Sequence, residues 1–417
     1  MTRFPRLKIK GPLEHSALQC DVSNMLQRTL DMLFDSEFRG VDPGSYYSSN
    51  LRRFRARGDG IVQRAWNKIL NTFVSWGGKY TVNLFALPEV TSTKAGALTL
   101  LGLANLRNRP EVCDPLELEK VASALFEWLM ARRNQELGAW TPDFNYEIRG
   151  KAISQQVLGT INTVFCCEAL WHWRDHFVTA DNVICSAAQA CLENLSRHEN
   201  ETECCFSYNP SARYFVHNAN LFVAQLLSRA AHIKPEMASY NEIVIKCVRY
   251  TLNDFDRVGV LRYAGPPTAN NTVDNYHTGF VLRTLDQLVP FISDQDPDLE
   301  ARVRQWVHEG LRQYQWMFIK SHGVPKFAYS NHHIQAHSVA EASLIYGQFK
   351  DQMPESVAAT YRVSIGKSIQ HLWNEKYLQF DSEVRVLGDR CVWRNTAPMP
   401  RWAWAWMFYG LLVYAAA

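Results

Sequence analysis

Residues 259–292 read GVLRYAGPPTANNTVDNYHTGFVLRTLDQLVPFI, and this stretch decides the fold because its organisation recurs along the chain. A short segment led by glycine or by an apolar or aromatic residue is followed by a loop and then by a long amphipathic helix. Similar segments begin at Gly138, Cys204, Gly323 and Cys391 (GAWTPDFNY, CCFSYNP, GVPKFAYSN and CVWRNTAPMP). Repetition at this length is typical of folds built from one supersecondary unit.

The spacing of the repeats predicts a helical hairpin in each unit. The anchors are Trp140, Phe206, Leu261, Phe327 and Trp393, which are 66, 55, 66 and 66 residues apart. Apolar residues after the loops recur at helical spacing, as at Val157, Ile161 and Val164. The expected partner helices are 181–198, 238–254, 297–320 and 355–374, and further helices are expected at 62–76, 94–106 and 114–134. Asp274 or Asn275 is the expected N-cap of the helix in the quoted stretch.

About six such hairpins predict an all-α fold, an (α/α) toroid like the barrels of terpenoid cyclases and glycosidases. One helix of each pair then lies inside the ring, and an open solenoid is the alternative. The aromatic-rich segment 402–417 (WAWAWMFYGLLVYAAA) favours closure, because it resembles a buried helix and not a polar capping repeat. We expect an N-terminal arm at 1–60 and a single toroid domain at 61–417.

Composition excludes several classes of protein. The 417 residues carry a net charge of +3 and are 47% hydrophobic, which argues against disorder and against a nucleic acid as the main partner. No N-terminal apolar run resembles a secretory signal, and the segment 402–417 is short for a transmembrane span. The ten cysteines include no CxxC spacing. We therefore expect a cytoplasmic protein with no transmembrane segment, no metal and no cofactor.

In a toroid, the loops that precede the inner helices open at one end, so polar residues far apart in sequence converge on one cavity. The candidate catalytic residues are Tyr276, His277, His217 and His337. The candidate substrate-binding residues are Arg213, Asn218, Tyr208, Tyr146, Arg149, Tyr329, His333, Arg401 and Trp402. Histidine, tyrosine, arginine and asparagine dominate this set, and carboxylates are scarce in it.

This residue set fits proton abstraction next to a carboxylate. A cation or amide neutralises the carboxylate, so that a histidine or tyrosine can remove the weakly acidic α-proton. A uronic acid in a polysaccharide is such a substrate, because its C5 proton lies next to the C6 carboxylate. Return of the proton to the other face is epimerisation, whereas expulsion of the 4-linked oxygen is a lyase reaction.

Alternatives remain open for the same residues. A glycoside hydrolase would use Asp274 with Asp143, Glu147 or Glu341 as its pair of carboxyl groups. A glycan-binding or scaffold protein would need no catalytic group. His217 and His277 are equally consistent with core histidines that donate hydrogen bonds, and the spacing of His333 and His337 would suit a metal on one helical face, although no third ligand is evident.

A resemblance adds to these arguments. Residues 276–278 (YHT) followed by GFVLRTLDQL are similar to the Tyr-His-Thr segment of heparan and heparosan glucuronyl C5-epimerases. The ordered stretches 206–221, 273–285, 325–342 and 400–414 resemble a group of proteins encoded with bacterial capsule and exopolysaccharide genes. The resemblance implies an (α/α) toroid, uronate chemistry with Tyr276 as a candidate acid or base, and partners in a polysaccharide-assembly complex. The favoured prediction is a carbohydrate-active enzyme of epimerase or lyase type that acts on a uronate-bearing or other anionic glycan.

Overall fold

The computed structural model describes most of the chain. The described residues are 4–10, 21–42, 44, 60–148, 151–268, 272–293, 295–330 and 332–417. Within them the helices, in chain order, are α1 (Val22–Asp35), α2 (Ile61–Leu84), α3 (Thr93–Ala104), α4 (Pro115–Met130), α5 (Thr160–His172), α6 (Ala180–Asn194), α7 (His217–Ile233), α8 (Tyr240–Val258), α9 (Asn275–Ile292), α10 (Pro297–Phe318), α11 (Ala336–Phe349), α12 (Glu355–Leu372) and α13 (Ala405–Ala416).

Six of these helices form a closed inner ring. Around the ring α3 packs on α5, α5 on α7, α7 on α9, α9 on α11 and α11 on α13, and α13 packs back on α3. Each inner helix has an outer partner: α4, α6, α8, α10 and α12 follow their inner helices in sequence, and α1 packs on α13. The predicted all-α toroid of about six hairpins is therefore confirmed, and the open solenoid is excluded.

Burial distinguishes the two layers. The inner helices are buried on nearly every side, as in α3, where all residues from Thr93 to Leu103 are buried. The outer helices bury a single stripe, and in α10 this stripe is Leu299, Val303, Val307, Gly310, Tyr314 and Phe318. Apolar residues at intervals of three and four place one face of a helix against a core. The main core therefore lies between the two layers and within the inner ring.

Short antiparallel strands occupy the loops. They are β1 (Arg39–Val41), β2 (Glu89–Thr91), β3 (Arg133–Asn134), β4 (Ala139–Trp140), β5 (Tyr146–Ile148), β6 (Lys151–Ile153), β7 (Arg197–Glu199), β8 (Cys204–Asn209), β9 (Ala212–Phe215), β10 (His333–Gln335), β11 (Trp373–Asn374), β12 (Gln379–Phe380), β13 (Glu383–Leu387) and β14 (Arg390–Asn395). The two three-stranded sheets have the orders β7-β8-β9 and β10-β13-β14. Most of these ribbons lie between an outer helix and the next inner helix, so they lead into the first turns of the inner ring.

Capping side chains define the starts of several helices. Asp274 is the N-cap of α9, as predicted, and its side chain accepts a hydrogen bond from the backbone N–H of His277. Asp296 caps α10 in the same way ahead of Pro297. The inner helix α13 is preceded by a π-helical turn at Pro400–Trp404. Turns of this kind often occur at functional sites.

The described residues of the N-terminal segment 1–60, which was predicted to form an arm, include some that pack against the ring. Leu26, Leu30 and Leu33 of α1 are buried, and Phe4 and Leu7 join the same core. Because α13 has no following partner helix, α1 supplies the outer layer there. The predicted helix at 62–76 corresponds to α2, which contacts β14 and takes no place in the ring.

Within the described residues, no helix is both long and apolar enough to cross a membrane. The segment 402–417, whose apolar character raised that question, instead packs between α11 and α3. The nine described cysteines form no disulfide, and eight of them are buried.

Candidate functional site

A cavity of about 450 Å³ lies at the end of the toroid where the inner helices begin. The predicted site residues that line it are Tyr146, Tyr208, Asn218, Tyr276, His277, His337, Arg401 and Trp402. They come from the loops before α5 and α7, from the first turns of α7, α9 and α11, and from the π-helical turn before α13, so these segments share one opening. Phe165, Phe222, Phe280 and Trp406 form the apolar part of the wall.

The remaining predicted residues lie elsewhere. His217 is fully buried, and its ring faces α8, where Nε2 lies 3.0 Å from Asp254 Oδ2. Successive residues of a helix are separated by about 100°, so Asn218 faces the cavity while His217 faces the outer layer. Arg213 is exposed on β9. Arg149 lies outside the described residues.

Two more predicted residues belong to the rim loop before α11. Tyr329 is 83% exposed and stacks on Phe327. His333 lies on β10, and its Nε2 contacts the Glu383 carboxylate on β13. His333 and His337 therefore do not share a helical face, which removes the geometry suggested for a metal. No group of three or more His, Cys, Asp or Glu residues suited to a metal ion occurs in the part of the chain that the structure describes.

His277 has the surroundings of an oriented base. Its Nδ1 lies 2.7 Å from Asp274 Oδ2, while Asp274 also accepts from the His277 backbone N–H. No hydrogen bond joins Nε2 to any residue that the structure describes, and the ring lines the cavity. The pKa of Asp274 is lowered, because the effects of His277 and Lys326 outweigh the desolvation that opposes them. An ionised carboxylate on Nδ1 fixes the imidazole with Nε2 toward a ligand.

His337 is the second histidine of the cavity, and it is held by stacking. Its ring lies between Tyr276, with centroids 4.1 Å apart, and Trp406, at 4.2 Å. The side chain is 3% exposed, and neither ring nitrogen has a hydrogen-bond partner among the described residues. Burial, with a smaller effect from Lys94, lowers the pKa of His337 well below its usual range. The imidazole is therefore neutral at neutral pH and has a free lone pair.

Tyrosines surround the two histidines. The Tyr263 and His277 rings are 4.2 Å apart, and Tyr276 lies 4.3 Å from His277. Burial raises the pKa of Tyr146, Tyr208, Tyr263 and Tyr276. These phenols therefore keep their protons, so Tyr276 is suited to donate a hydrogen bond or a proton and poorly suited to act as a base.

Arg401 reaches the cavity from the π-helical turn. Its Nε lies 2.6 Å from Asp42 Oδ2, and the Trp402 indole also donates to Asp42. Asp42 directly follows β1, and the Val41 N–H donates to the Pro398 carbonyl oxygen. A Cβ on Gly40 would lie 2.3 Å from Pro400 Cδ, so glycine permits this close approach. The strand therefore brings a counter-ion to the arginine from the far end of the chain.

The sequence analysis missed Lys94 as a binding group, whereas Tyr263 belongs to a loop that was expected to open on the cavity. Lys94 lies in the first turn of α3, with its ammonium 4.1 Å from the Phe165 ring centroid and 4.9 Å from that of Trp406. Tyr263 lies in the loop before α9 and packs on His277. The signal for Lys94 was available, since it is the single charged residue in the apolar helix TKAGALTLLGLA. A charge at such a position is costly unless a partner or ligand uses it.

Only two of the four carboxyl groups proposed for the hydrolase alternative line the cavity. Asp143 and Glu147 line the cavity from the same loop, whereas Asp274 is engaged by His277. Glu341 is fully buried, and its Oε1 accepts from Arg283 Nε at 2.7 Å. Burial raises the pKa of Asp143, although its hydrogen bond from the Thr93 N–H opposes the shift. Asp143 is thus the cavity carboxyl most suited to hold a proton.

Comparisons with known proteins bear on the fold. No family model matches the sequence, and no curated protein matches it significantly. Several solved structures are similar. A cellobiose 2-epimerase from Spirochaeta thermophila matches with a TM-score of 0.59 at 11% identity, covering 94% of this chain and 96% of its own.

A D-mannose isomerase has a TM-score of 0.56 at 11% identity, covering 98% of this chain and all of its own. An unsaturated glucuronyl hydrolase from Streptococcus agalactiae has a TM-score of 0.51 at 12% identity, covering 95% of this chain and 91% of its own. At identities this low, structural similarity establishes the fold and no more. The chain has the (α/α)-toroid fold of these carbohydrate-processing enzymes.

Proposed function

We propose that this protein is a carbohydrate-active enzyme that removes and returns the proton on the carbon next to a carboxylate, as a uronate C5-epimerase does. The observation that carries the proposal is the pair of histidines in one cavity. His277 is oriented by Asp274, and His337 is neutral and without a hydrogen-bond partner among the described residues. Both rings lie against Tyr276.

Inversion of a carbon requires a base on one side and an acid on the other. In the proposed mechanism Nε2 of His277 takes the proton, and the developing negative charge spreads onto the substrate carboxylate. Lys94 and Arg401 are the cavity cations that stabilise this charge, and the neutral phenols of Tyr208, Tyr263 and Tyr276 donate hydrogen bonds. Tyr276, which keeps its phenol proton, donates it to the opposite face, and proton exchange with solvent then restores Tyr276 and His277. The neutral His337 accepts a hydrogen bond from the substrate.

The names of similar structures support the class of reaction. A cellobiose 2-epimerase and a D-mannose isomerase share this fold. Epimerisation at C2 of an aldose and at C5 of a uronate both proceed by removing a proton beside a carbonyl carbon. The resemblance to proteins encoded with bacterial capsule and exopolysaccharide genes supports a role in cytoplasmic polysaccharide assembly, with a glycan as substrate and other assembly proteins as partners.

The test is deuterium incorporation. Uronate-containing glycans and neutral reducing sugars are incubated with the protein in deuterated water and followed by NMR. The proposal expects uptake at C5 of the uronate without cleavage. Replacement of Asp274 by Asn keeps the helix cap but removes the carboxylate charge beside His277 Nδ1. We expect the rate of deuterium uptake to fall by about 10²-fold or more.

His277→Gln and His337→Gln are expected to take up deuterium more slowly than Asp274→Asn. Tyr329→Phe, on the exposed rim, serves as the matched control. Uptake at C2 of a neutral sugar would replace the uronate part of the proposal with an aldose epimerase. An unsaturated product detected by its ultraviolet absorbance would mean a lyase. Equal rates in wild type and Asp274→Asn would contradict the assigned base.

A second candidate is a glycoside hydrolase, and Asp143 favours it. This carboxyl group lines the cavity and has a raised pKa, as a general acid requires. Glu147, close to Asp143 in sequence, also lines the cavity and is the other carboxylate that the hydrolase alternative could use. Release of reducing ends by wild type, abolished in Asp143→Asn but retained in His277→Gln, would favour hydrolysis over epimerisation.

A non-catalytic glycan-binding or scaffold protein is less well supported than either enzyme. A binding cavity needs no strongly perturbed ionisable groups, yet His337, Lys94 and Asp143 all have shifted pKa values and line the same cavity. Clusters of this kind are concentrated at catalytic sites.

A further inference from the structure

Lys94 is a buried basic group that has no partner carboxylate among the described residues. The residue is 7% exposed, and all its neighbours in α3 from Thr93 to Leu103 are buried. No ion pair or hydrogen bond joins its ammonium to a residue within the described ranges. Burial of an unpaired charge opposes folding, so its presence in the inner ring calls for a compensating partner.

The groups around Lys94 are already engaged. Asp42 pairs with Arg401, and Glu341 pairs with Arg283. Those two carboxylates favour the charged lysine, but burial and Arg401 oppose it, so the pKa of Lys94 is well below its ordinary value. The ring faces of Phe165 and Trp406 provide a partial substitute, since aromatic faces attract a cation. They leave the amine's hydrogen-bond donors unused.

Two further groups on the same wall also lack partners. Both nitrogens of His337 and Oδ1 of Asn218 are buried and make no hydrogen bond with any described residue. His337 shares the Trp406 ring with Lys94, because its centroid lies 4.2 Å from that ring. The unpaired cation, the unpaired imidazole and the unpaired amide oxygen therefore face a single volume, which is the cavity.

We propose that Lys94 is the anion-binding residue of this cavity, and that it selects a sugar carboxylate over the corresponding neutral hydroxymethyl group. The sequence analysis placed Arg213, Arg401 and Asn218 among the candidate substrate-binding residues. Arg213 is exposed on β9, and Arg401 already has Asp42 as counter-ion. Lys94 is the cavity cation, among the described residues, whose charge remains for a ligand.

This inference deepens the proposed function, and it rests on that function only for the identity of the reacting carbon. An anion bound by Lys94 lies beside the His337 ring, so the carbon next to the carboxylate is brought to the histidines. Selection occurs because a neutral sugar leaves the ammonium unpaired, whereas a carboxylate supplies a charge-assisted hydrogen bond.

The experiment measures binding and not turnover. The probes are a glucuronate-containing oligosaccharide and the same oligosaccharide with its carboxyl groups reduced to alcohols. Calorimetry gives the affinities, and quenching of tryptophan fluorescence reports the cavity directly, because Trp402 and Trp406 line it. The wild-type protein is expected to prefer the acidic form by about tenfold or more, as a hydrogen bond to a charged group implies.

Lys94→Met keeps the length and apolar stem of the side chain and is expected to abolish that preference while binding of the reduced form is retained. Lys94→Arg retains part of it. The control is Lys367→Met, which removes an exposed lysine paired with Asp389. Circular dichroism and thermal unfolding verify the fold, and Lys94→Met is expected to be at least as stable as wild type, because it removes a buried charge.

Equal affinity of the two oligosaccharides for wild type, a preserved preference in Lys94→Met, or no binding of the acidic form would each overturn the inference. A sulfated or phosphorylated oligosaccharide that binds more tightly than the glucuronate form would overturn the choice of carboxylate. A Lys94-dependent preference without deuterium uptake would leave the anion site standing and reject the epimerase. Uptake that persists in Lys94→Met with an unchanged KM would reject the anion site and leave the epimerase.

Discussion

Replacement of Glu341 by Gln is expected to destabilise the toroid severely. Glu341 on α11 is fully buried, and its two oxygens accept from Arg283 Nε and Nη2 on α9 at 2.7 and 3.2 Å. Burial outweighs the arginine and raises the pKa of Glu341, so the pair itself adds little net stability. Removing one partner is different, because the Arg283 guanidinium is then left buried without a counter-ion.

The expected cost is about 3 kcal/mol, the lower end of the range for breaking a buried ion pair, because glutamine still accepts one hydrogen bond. The double variant Arg283→Met, Glu341→Gln is expected to recover much of this loss, since no unpaired charge remains. The exposed pair Arg304–Glu300 on α10 has a similar distance of 2.7 Å and serves as the control, with Glu300→Gln expected to change little.

The assay is unfolding in urea, followed by both far-ultraviolet circular dichroism and tryptophan fluorescence. Coincident transitions are required before the free energies are compared. A loss of less than about 1 kcal/mol in Glu341→Gln would refute the argument about the buried charge. A double variant no more stable than the single variant would refute it equally.

Three further changes test other parts of the structure. Asp274→Ala is expected to lower the free energy of unfolding by about 1 kcal/mol through loss of the α9 cap, whereas Asp274→Asn is expected to keep it, as urea unfolding would show. Gly410→Ala is expected to lower the melting temperature, because a Cβ there would lie 2.7 Å from Ala340 Cα; an unchanged value would contradict the contact between α13 and α11. Burial lowers the pKa of His217 and His337, so the unfolded chain binds their protons first and stability falls as the pH drops below about 6.5. Each histidine contributes a slope of up to about 1.4 kcal/mol per pH unit, and His337→Phe is expected to remove its share when unfolding is measured between pH 7 and pH 5.

The ring of hairpins was accessible from the sequence because each unit repeats the same local signals. The anchors Trp140, Phe206 and Trp393 lie in β4, β8 and β14, within the connections that lead to the inner helices α5, α7 and α13. Asp274 and Asn275 were the two candidate caps because they precede an apolar helix, and Asp274 is the cap. Repetition and capping are local properties, and this explains why the hairpins and their loops were predicted together.

Contacts between residues far apart in sequence could not be predicted from such local signals. Asp42 and Arg401 are neighbours only because β1 lies against residues 398–400, and no local pattern announces that contact. His217 was assigned to the cavity because it opens α7, yet the helical rotation places it against α8. Lys94 was not predicted, because it lies in the first turn of α3 and outside the repeated loops that supplied the candidate residues.

The contact between α13 and α3 has a consequence for how the molecule assembles. α3 ends at Ala104 and α13 begins only at Ala405, so the last joint of the ring requires closure of a very long loop. Non-local contacts of this kind form late, and the expected folding intermediate is an incomplete arc of hairpins whose two apolar flanks are exposed to self-association. Since Arg401, Trp402 and Trp406 all arrive with the closing segment, an arc without it has no complete cavity. Ligand binding should therefore act as a late reporter of folding, appearing only after most of the helical signal has been recovered.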